Sequence, residues 1–259
     1  MNKTNTLVIK VGGALLQQPQ AMANLMAALK SMIAAGQHVV LVHGGGCLVD
    51  EQLLANGKQT VKLNGLRVTP EDQIDIVVGA LAGTSNKLLQ GAAIKAGVTA
   101  VGMSLTDGQS VSAKIKAKEL GLVGEVVPGN PAYLQFMLSQ GWLPICSSIA
   151  IDEHGNRLNV NADQAAAAIA QLLDATLVLL SDVPGVLDAS RSLIPFLNQQ
   201  QISQLVSDGV IEKGMKVKVE AALDVAQQSG IAVNIASWKD TQALIGFANG
   251  VSLGTQIQP

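Results

Sequence analysis

The chain has 259 residues, a formal net charge of -2, 48% hydrophobic residues and 14% charged residues. This length suits one large α/β domain or two closely joined lobes, and the near-neutral charge, without a basic cluster, argues against a nucleic-acid binder. No apolar run approaches the roughly 20 residues of a membrane span and no signal peptide opens the chain, so we expect a cytoplasmic protein that uses neither nucleic acid nor membrane as a partner.

Strand-like and helical patterns alternate along the chain, which predicts a mostly parallel sheet with helices on both faces. The predicted strands are Leu7–Val11, His38–Val42, Val98–Met103, Leu143–Ser147, Thr176–Leu180 and Ile231–Ile235. The predicted helices are about Ala21–Ala35, Leu48–Asn56, Glu71–Ala82, Ser85–Ala96, Ala132–Gln140, Ala162–Leu173 and Gly214–Ser229. The less regular stretch Gly108–Pro131 is interpreted as a hairpin.

The first strand carries a lysine and ends in two glycines. Lys10 interrupts an apolar run, and a lysine in a buried strand must lose its charge or find an anion. Gly12 and Gly13 leave bare backbone N–H groups at the strand end, where open α/β sheets bind ligands. The pattern indicates a phosphate or carboxylate, with a surface-reaching lysine and a simple tight turn as the alternative.

A second glycine loop, Gly44–Gly46, follows the second strand and precedes a helix. Three consecutive glycines cost backbone entropy, so a ligand close to the backbone explains them better than a simple turn. Neither glycine loop fits the dinucleotide fingerprint or the Walker loop. We expect His43, just before the loop, to be structural rather than a general base. Cys47 and Cys146 are too few for a disulfide framework or a zinc site, and both are expected to be buried.

Arg67 precedes a predicted helix start in which Thr69 is the N-cap and Pro70 the first helical residue. Arginine is suited to clamping a carboxylate with two parallel hydrogen bonds. The alternative is a surface ion pair with Glu71 or Asp72.

Two asparagines lie at the start of the alanine-rich helix. Asn161 and Gln164 predict a capping box, and Asp163 in the first turn suits the helix dipole. Asn159 lies outside the cap and is not explained by it.

Two lysines near the start of the helix Gly214–Ser229 oppose its dipole. Lys216 can pair with Glu220 on a solvated face. Lys218 shares its face with small and apolar residues, so we expect it to have the functional role, at a polyphosphate. The turn-rich segment Ser181–Leu187 is by itself a weak nucleotide signal.

These segments together are similar to motifs of the amino-acid kinase family, from about Leu7 to Gly254 and in the expected order. The motif segments are Val8–Leu16, His43–Asp50, Asn64–Asp75, Asn159–Ala167, Ser181–Leu187 and Gly214–Ala222. Asn64–Thr69 and Asn159–Asp163 resemble the member that phosphorylates N-acetyl-L-glutamate, whereas the glycine loops indicate only the wider family. The resemblance implies a three-layer αβα sandwich with an open, mainly parallel central sheet of eight strands.

The resemblance also implies phosphoryl transfer from ATP to the side-chain carboxylate of N-acetyl-L-glutamate in arginine biosynthesis, with Mg²⁺ held mainly through the phosphates. It implies that Lys10 and Lys218 stabilise the transferring group while Asp163 orients both lysines. The implied acceptor-site residues are Gly44, Gly45, Arg67, Asn159 and Asn161. The implied nucleotide-site residues are Gly12, Gly13, Asp182, Val183, Pro184, Gly185, Val186, Leu187, Val210, Ile211 and Glu212.

By the same resemblance, residues 1–180 form an N-lobe for the acyl amino acid and dimerisation, and residues 181–259 form a C-lobe for the nucleotide. Arginine-inhibited relatives carry an extra N-terminal helix that links dimers into a ring. Since the first strand begins near residue 6 here, we expect a homodimer insensitive to arginine. Lys216 and the pair Glu212–Lys213 depart from the family pattern at the nucleotide edge.

Two other functions remain open from the sequence. One is a relative that phosphorylates glutamate or aspartate, in which a free ammonium would require a carboxylate rather than neutral partners. The other is a binding module without catalysis, which would not require Lys10, Asp163 and Lys218 together.

Overall fold

A computed structural model describes residues 6–248 and 250–259. The strands are β1 (Thr6–Val11), β2 (His38–His43), β3 (Lys62–Leu63), β4 (Leu66–Arg67), β5 (Ala100–Ser104), β6 (Val111–Ile115), β7 (Val123–Pro128), β8 (Leu143–Ser147), β9 (Ile149–Ile151), β10 (Arg157–Val160), β11 (Thr176–Ser181), β12 (Phe196–Leu197), β13 (Val233–Ser237) and β14 (Thr255–Ile257). The helices are α1 (Gly13–Leu16), α2 (Pro19–Ala34), α3 (Gly46–Ala55), α4 (Ile74–Val78), α5 (Asn86–Lys95), α6 (Ala132–Ser139), α7 (Ala162–Leu172), α8 (Gln199–Ser207), α9 (Lys213–Ser229) and α10 (Thr241–Ala248). No helix among the described residues is both long and apolar enough to cross a membrane.

The central sheet has eight strands in the order β12-β14-β13-β11-β1-β2-β8-β5. Neighbouring strands run parallel except β13 and β14. The sheet is covered on one face by α2, α5 and α10 and on the other by α6, α7 and α9. The predicted αβα sandwich with a mainly parallel central sheet is therefore confirmed.

The two faces of β1 explain why its sequence is nearly continuously apolar. Val8 packs with the α7 side of the sheet and Ile9 with the α2 side, and both are completely buried. Helix α7 presents a run of buried alanines, which lets its backbone approach the sheet closely. A strand covered on both faces cannot show the alternating pattern of a half-exposed strand.

Smaller sheets lie beside the central one. Strands β6 and β7 pair antiparallel, which confirms the hairpin predicted within Gly108–Pro131, and the sheet continues through β10 to β9. Strands β3 and β4 form a separate hairpin around Asn64 and Gly65, whose φ angles are 50° and 80°. Positive φ at both central residues is what an Asn-Gly hairpin turn requires.

The structure corrects the predicted helix boundaries between residues 71 and 96. The two predicted helices form one continuous helical stretch, because a π segment, Gly79–Ser85, joins α4 to α5. The helix begins at Ile74, so the predicted N-cap at Thr69 is wrong. The Thr69 hydroxyl instead donates to the Arg67 carbonyl. Helices α1, α8 and α10 and strands β3, β4, β9, β10, β12 and β14 were not predicted.

The expectation for the cysteines is confirmed for one and wrong for the other. Cys146 is buried in β8, and burial raises the pKa of its thiol to about 12. Cys47 is exposed near the N-terminus of α3.

The strand order places the sheet's switch point beside β1. From β1 the chain builds the sheet outward through β2, and it later returns to add β11 on the other side of β1. Ligands of open α/β sheets bind at the carboxyl ends of strands at such a point. Lys10 and the first glycines lie there.

Candidate active site

Two cavities open at the carboxyl edge of the sheet. The β1–β11 cavity, of about 490 Å³, is lined by Lys10, Gly12, Gly13, Ala14, Leu15, Asp163, Leu179, Leu180, Ser181, Asp182, Val217, Lys218, Ala221, Ile235 and Trp238. The glycine-loop cavity, of about 190 Å³, is lined by Gly44, Gly45, Gly46, Val49, Lys62, Gly65, Leu66, Arg67, Leu81, Val123, Ser148, Asn159, Val160, Asn161 and Ala162. The first turn of α7 links them, since Ala162 lines one and Asp163 the other.

Lys10 and Asp163 form an ion pair at this junction. The Lys10 Nζ lies 2.8 Å from the Asp163 Oδ1, and both side chains are largely buried, at 17% and 24% exposure. The strand therefore places the lysine head in the β1–β11 cavity with a carboxylate partner rather than releasing it to solvent. This arrangement satisfies the need of a buried lysine for an anion.

Asn161 fixes the first turn of α7, which carries Asp163. Its side-chain oxygen accepts hydrogen bonds from the backbone N–H groups of Asp163 and Gln164, at 2.9 and 3.2 Å. The predicted N-cap is confirmed. Among the described residues the reciprocal bond of a capping box, from the Asn161 backbone N–H to the Gln164 side chain, is absent, and the Gln164 Nε2 donates to Gln228 on α9.

Lys218 reaches the β1–β11 cavity from α9 and pairs with Asp182 at the end of β11. The hydrogen bond from Lys218 is the largest influence that holds the pKa of the Asp182 carboxyl below its usual range. The predicted contact of Asp163 with both lysines is thus found only for Lys10. Lys218 on α9 and Lys10 at the end of β1 together give the β1–β11 cavity two cations.

Lys216 lies on the solvated side of α9, as predicted. Its Nζ lies 3.8 Å from the Glu220 carboxylate one turn further along. It does not line the β1–β11 cavity.

The glycine loop packs tightly against the elements around it. A Cβ on Gly44 would lie 3.2 Å from the Ala162 Cβ, and a Cβ on Gly45 would lie 2.5 Å from the Ser85 Oγ. His43 is completely buried beside the loop, and burial lowers its pKa to about 4. A neutral, enclosed imidazole agrees with the expectation that His43 is structural.

Arg67 lies on β4 with its guanidinium largely buried. Its Nη1 donates to Asp50 Oδ1 at 2.5 Å and to Thr60 Oγ1 at 2.7 Å, and its Nη2 donates to the Gly46 carbonyl at 3.2 Å. Burial raises the pKa of Asp50, but the hydrogen bonds from Arg67 and Thr60 and the charges of Arg67 and Lys62 together outweigh burial, so the pKa lies below its usual value. The alternative expectation, an ion pair of Arg67 with Glu71 or Asp72, was wrong, since Arg67 pairs with Asp50 and Asp72 pairs with Lys58.

These bonds occupy three of the five N–H donors of the Arg67 guanidinium. The Nε–H and one hydrogen on Nη2 make no hydrogen bond with the described part of the chain. Arg67 also lines the glycine-loop cavity. The three bonds therefore orient the guanidinium while two donors remain for a ligand.

Asn159 lines the same cavity from β10. Its side-chain amide donates to the Thr69 hydroxyl at 3.0 Å, which ties β10 to the segment that precedes α4. The amide oxygen is then oriented by that bond and can accept from a neutral N–H of a ligand.

The structure does not bring every predicted nucleotide-site residue to the β1–β11 cavity. Of the segment Asp182–Leu187 only Asp182 lines it, and Val210–Glu212 does not reach it. Val186 and Ile211 are buried in the core. Their nucleotide contact stays a prediction.

Sequence reasoning missed Lys62 and Trp238. Lys62 lies opposite Arg67 in the register of the β3–β4 hairpin, and its side chain adds a cation to the glycine-loop cavity. The Asn-Gly turn at 64–65 is a hairpin signal that could have found it. Trp238 follows β13 and lines the β1–β11 cavity, and no local pattern marks it.

The chain matches the model of the amino acid kinase family over residues 5–237. It is 65% identical over 255 residues to the acetylglutamate kinase of Shewanella sp. (strain MR-4), covering 98% of each chain. The acetylglutamate kinase of Shewanella oneidensis matches with the same identity and coverage.

Among solved structures, a protein of Streptococcus mutans superposes with a TM-score of 0.78 at 30% identity, with 98% of each chain covered. A carbamate kinase of Giardia lamblia bound to AMP-PNP superposes with a TM-score of 0.66 at 17% identity, again over 98% of each chain. The second likeness is one of fold alone.

Proposed function

This chain belongs to the amino acid kinase family, as its motifs predicted, and from that premise we propose that it transfers the γ-phosphoryl group of ATP to the side-chain carboxylate of N-acetyl-L-glutamate. The observation that carries the proposal is the Lys10–Asp163 pair, which lines one cavity while Ala162, the residue before Asp163, lines the other. A phosphoryl donor in one cavity and an acceptor in the other would bring the reacting groups together beside Lys10. The product serves arginine biosynthesis.

The acceptor chemistry requires cations rather than a base. A carboxylate with a reference pKa near 4.3 is already ionised at neutral pH, so no group needs to remove a proton from it. The obstacle is the repulsion between an anionic nucleophile and an anionic phosphoryl group. Lys10 and Lys218, with backbone donors of Gly12 and Gly13, reduce that repulsion around a loose transition state. Asp163 orients Lys10.

The glycine-loop cavity takes the acyl amino acid. Arg67 offers its two remaining donors to a carboxylate, and a bidentate clamp uses two such donors. Asn159 offers neutral hydrogen-bonding groups suited to an acetamide, and Asn161 lies beside it at the start of α7. The backbone of Gly44 and Gly45 completes the site.

The β1–β11 cavity takes the triphosphate of ATP. Its carboxylates, Asp163 and Asp182, are each held by a lysine, so the chain offers Mg²⁺ no ready cage of oxygen ligands. Within the described residues no group of three or more His, Cys, Asp or Glu side chains could hold a metal. We propose that Mg²⁺ would be held mainly by the phosphates of ATP, where it would supply charge neutralisation. The lobe division at residues 180 and 181, with the nucleotide in the second lobe, is part of this proposal.

The activity is tested by coupling ADP release to a spectrophotometric assay with purified protein. N-acetyl-L-glutamate should support turnover, whereas L-glutamate and L-aspartate should not. Activity only with a free amino acid would replace the proposed acceptor. Binding of both ligands without ADP release would indicate a binding module.

We further propose that two copies of the chain pair through the β5 edge of the sheet. β5 is an edge strand, and exposed apolar side chains flank it on both faces: Leu88 and Ile94 on α5, and Phe136 on α6. Such a surface is typical of a protein interface. Light scattering should give the mass of two chains, and arginine should leave the mass and the activity unchanged. A hexamer, or inhibition by micromolar arginine, would contradict this proposal.

Since the reaction consumes ATP, we place the enzyme in the cytoplasm.

A further inference from the structure

A chain of buried hydrogen bonds runs from α5 to the glycine loop. Asn86, the first residue of α5, is almost completely buried, and its Nδ2 lies 2.8 Å from the Ile145 carbonyl of β8 and 3.0 Å from His43 Nε2. The His43 Nδ1 lies 3.0 Å from the Gly44 carbonyl. The π segment Gly79–Ser85 immediately precedes Asn86.

This arrangement fixes the proton on the imidazole. The Asn86 Nδ2 faces the carbonyl oxygens of Ile145 and Met103, and the flipped amide would place an oxygen against them. The remaining N–H on Nδ2 therefore donates to His43 Nε2. A neutral imidazole that accepts at Nε2 carries its hydrogen on Nδ1. That hydrogen is donated to the Gly44 carbonyl.

The hydrogen bond to Gly44 sets the direction of the next amide. Gly44 is held at both ends, because its own N–H donates to the Val11 carbonyl at 3.2 Å. In a trans peptide the N–H points opposite to the carbonyl, so Gly45 N–H points away from His43. This N–H makes no hydrogen bond with the described part of the chain, and Gly45 lines the glycine-loop cavity.

We propose that His43 and Asn86 are positioning residues that hold Gly45 N–H toward the acceptor in the glycine-loop cavity. The inference rests on the proposed function, since it takes the acyl amino acid as the occupant of that cavity. Neither side chain touches the acceptor. Their effect passes through the Gly44–Gly45 peptide.

Two glycines and a buried hydroxyl support this arrangement. A Cβ on Gly102 of β5 would lie 2.0 Å from the Asn86 Oδ1, so a glycine there leaves the space in which Asn86 is seated. Ser85 and Leu81 occupy the space beside Gly45 that a Cβ would need. The Ser85 Oγ is buried and has no hydrogen-bond partner among the described residues. A buried hydroxyl without a hydrogen bond lowers stability, so its presence here requires an explanation. π segments are frequent at functional sites. We attribute both features to the need to hold the glycine loop in position.

The first test needs no variant. In ¹⁵N-histidine-labelled protein at pH 7, His43 should show a protonated Nδ1 and an unprotonated Nε2. The opposite tautomer would overturn the inference whatever the enzyme's activity. In uniformly ¹⁵N-labelled protein, added N-acetyl-L-glutamate should shift the Gly45 amide resonance, and an unshifted resonance in an active enzyme would also overturn the inference.

The second test separates KM from kcat. His43→Leu should raise KM for N-acetyl-L-glutamate at least tenfold while KM for ATP changes less than threefold. His43→Asn, whose amide nitrogen can replace Nδ1, should recover most of that loss. Asn86→Ala and Gly102→Ala should act in the same direction. Gln90→Ala is the matched control, because Gln90 also lies on α5 and donates to a strand carbonyl, that of Ala100, away from the loop.

The outcomes distinguish the two proposals. If the wild-type protein phosphorylates N-acetyl-L-glutamate but His43→Leu leaves its KM within twofold, only the positioning role is wrong. Equal increases in both KM values would likewise contradict it, since they indicate general damage to the fold. If the wild-type protein does not phosphorylate N-acetyl-L-glutamate, the proposed function is wrong. The positioning role is then tested by adding other small carboxylic acids and following the Gly45 amide resonance. If none of them shifts that resonance, the positioning role is wrong as well.

Discussion

Lys10 and Asp163 connect the carboxyl end of β1 to the first turn of α7 through an ion pair of 2.8 Å. Both side chains line the cavity that contains Lys218, and Ala162, the neighbour of Asp163, lines the cavity that contains Arg67, Asn159 and Asn161. We expect Lys10→Met to lower kcat by roughly 10²-fold or more, by analogy with the loss of other transition-state donors. Steady-state assays of ADP release measure it. Lys58→Ala, which breaks the exposed pair with Asp72, is the control, and a change below threefold for Lys10→Met would contradict the assigned role.

Lys218 and Lys216 lie on the same helix and allow a matched comparison. Lys218→Ala should lower turnover by roughly 10²-fold or more, because it removes a cation from the β1–β11 cavity. Lys216→Ala should change turnover less than threefold, since it removes only an exposed pair with Glu220. Equal effects of the two substitutions would show that charge on α9, rather than the position of Lys218, matters.

Gly45 and Ser85 are in contact in a way that a double variant can test. Gly45→Ala would place a Cβ 2.5 Å from the Ser85 Oγ and 3.0 Å from the Leu81 Cδ2. The loop must then move, and we expect kcat/KM for the acyl acid to fall roughly 10- to 100-fold. Adding Ser85→Ala removes the closer atom and should restore part of the loss. A double variant no better than Gly45→Ala would show that this contact is not the cause.

The buried His43 predicts a dependence of stability on pH. Its folded-state pKa of about 4 lies below the unfolded value of 6.5, so the unfolded chain binds the extra proton between these values. Stability from this residue is fully present above pH 6.5 and is lost as the pH falls toward 4, by at most roughly 3 kcal/mol. Urea unfolding at pH 7, 5.5 and 4.5 measures the slope. His43→Gln should flatten it, whereas substitution of the exposed His38 should not.

Asn161 combines a structural contact with a proposed binding role, and two substitutions separate them. Asn161→Ala removes the N-cap of α7 and should lower the free energy of unfolding by about 1 kcal/mol. Asn161→Ser keeps an N-cap acceptor, so stability should be retained while KM for N-acetyl-L-glutamate rises. An unchanged KM in the serine variant would limit Asn161 to capping. Asn198→Ala is the control, because it removes the N-cap of α8 and should lower the free energy of unfolding without changing KM for N-acetyl-L-glutamate.

Sequence patterns predicted correctly those features that depend only on residues close together in the chain. The apolar run of β1 with Lys10 in it, the cap at Asn161 and the pair of Lys216 with Glu220 were all predicted, because each depends on neighbours within four positions. The same limit explains the wrong helix start at Thr69. Its capping pattern is correct locally, but its hydroxyl accepts a bond from Asn159, 90 positions away in sequence.

The sequence by itself determined the alternation of strands and helices, the two glycine loops and the cations beside them. Only the tertiary structure decided which charges pair: Lys218 with Asp182 rather than Asp163, and Arg67 with Asp50 rather than Asp72. It also decided that His43 is a neutral, buried link between Asn86 and Gly44. The reason is physical. Periodicity and capping arise from contacts within one or two turns, whereas an ion pair or a proton position depends on which distant groups the folded sheet brings within about 3 Å.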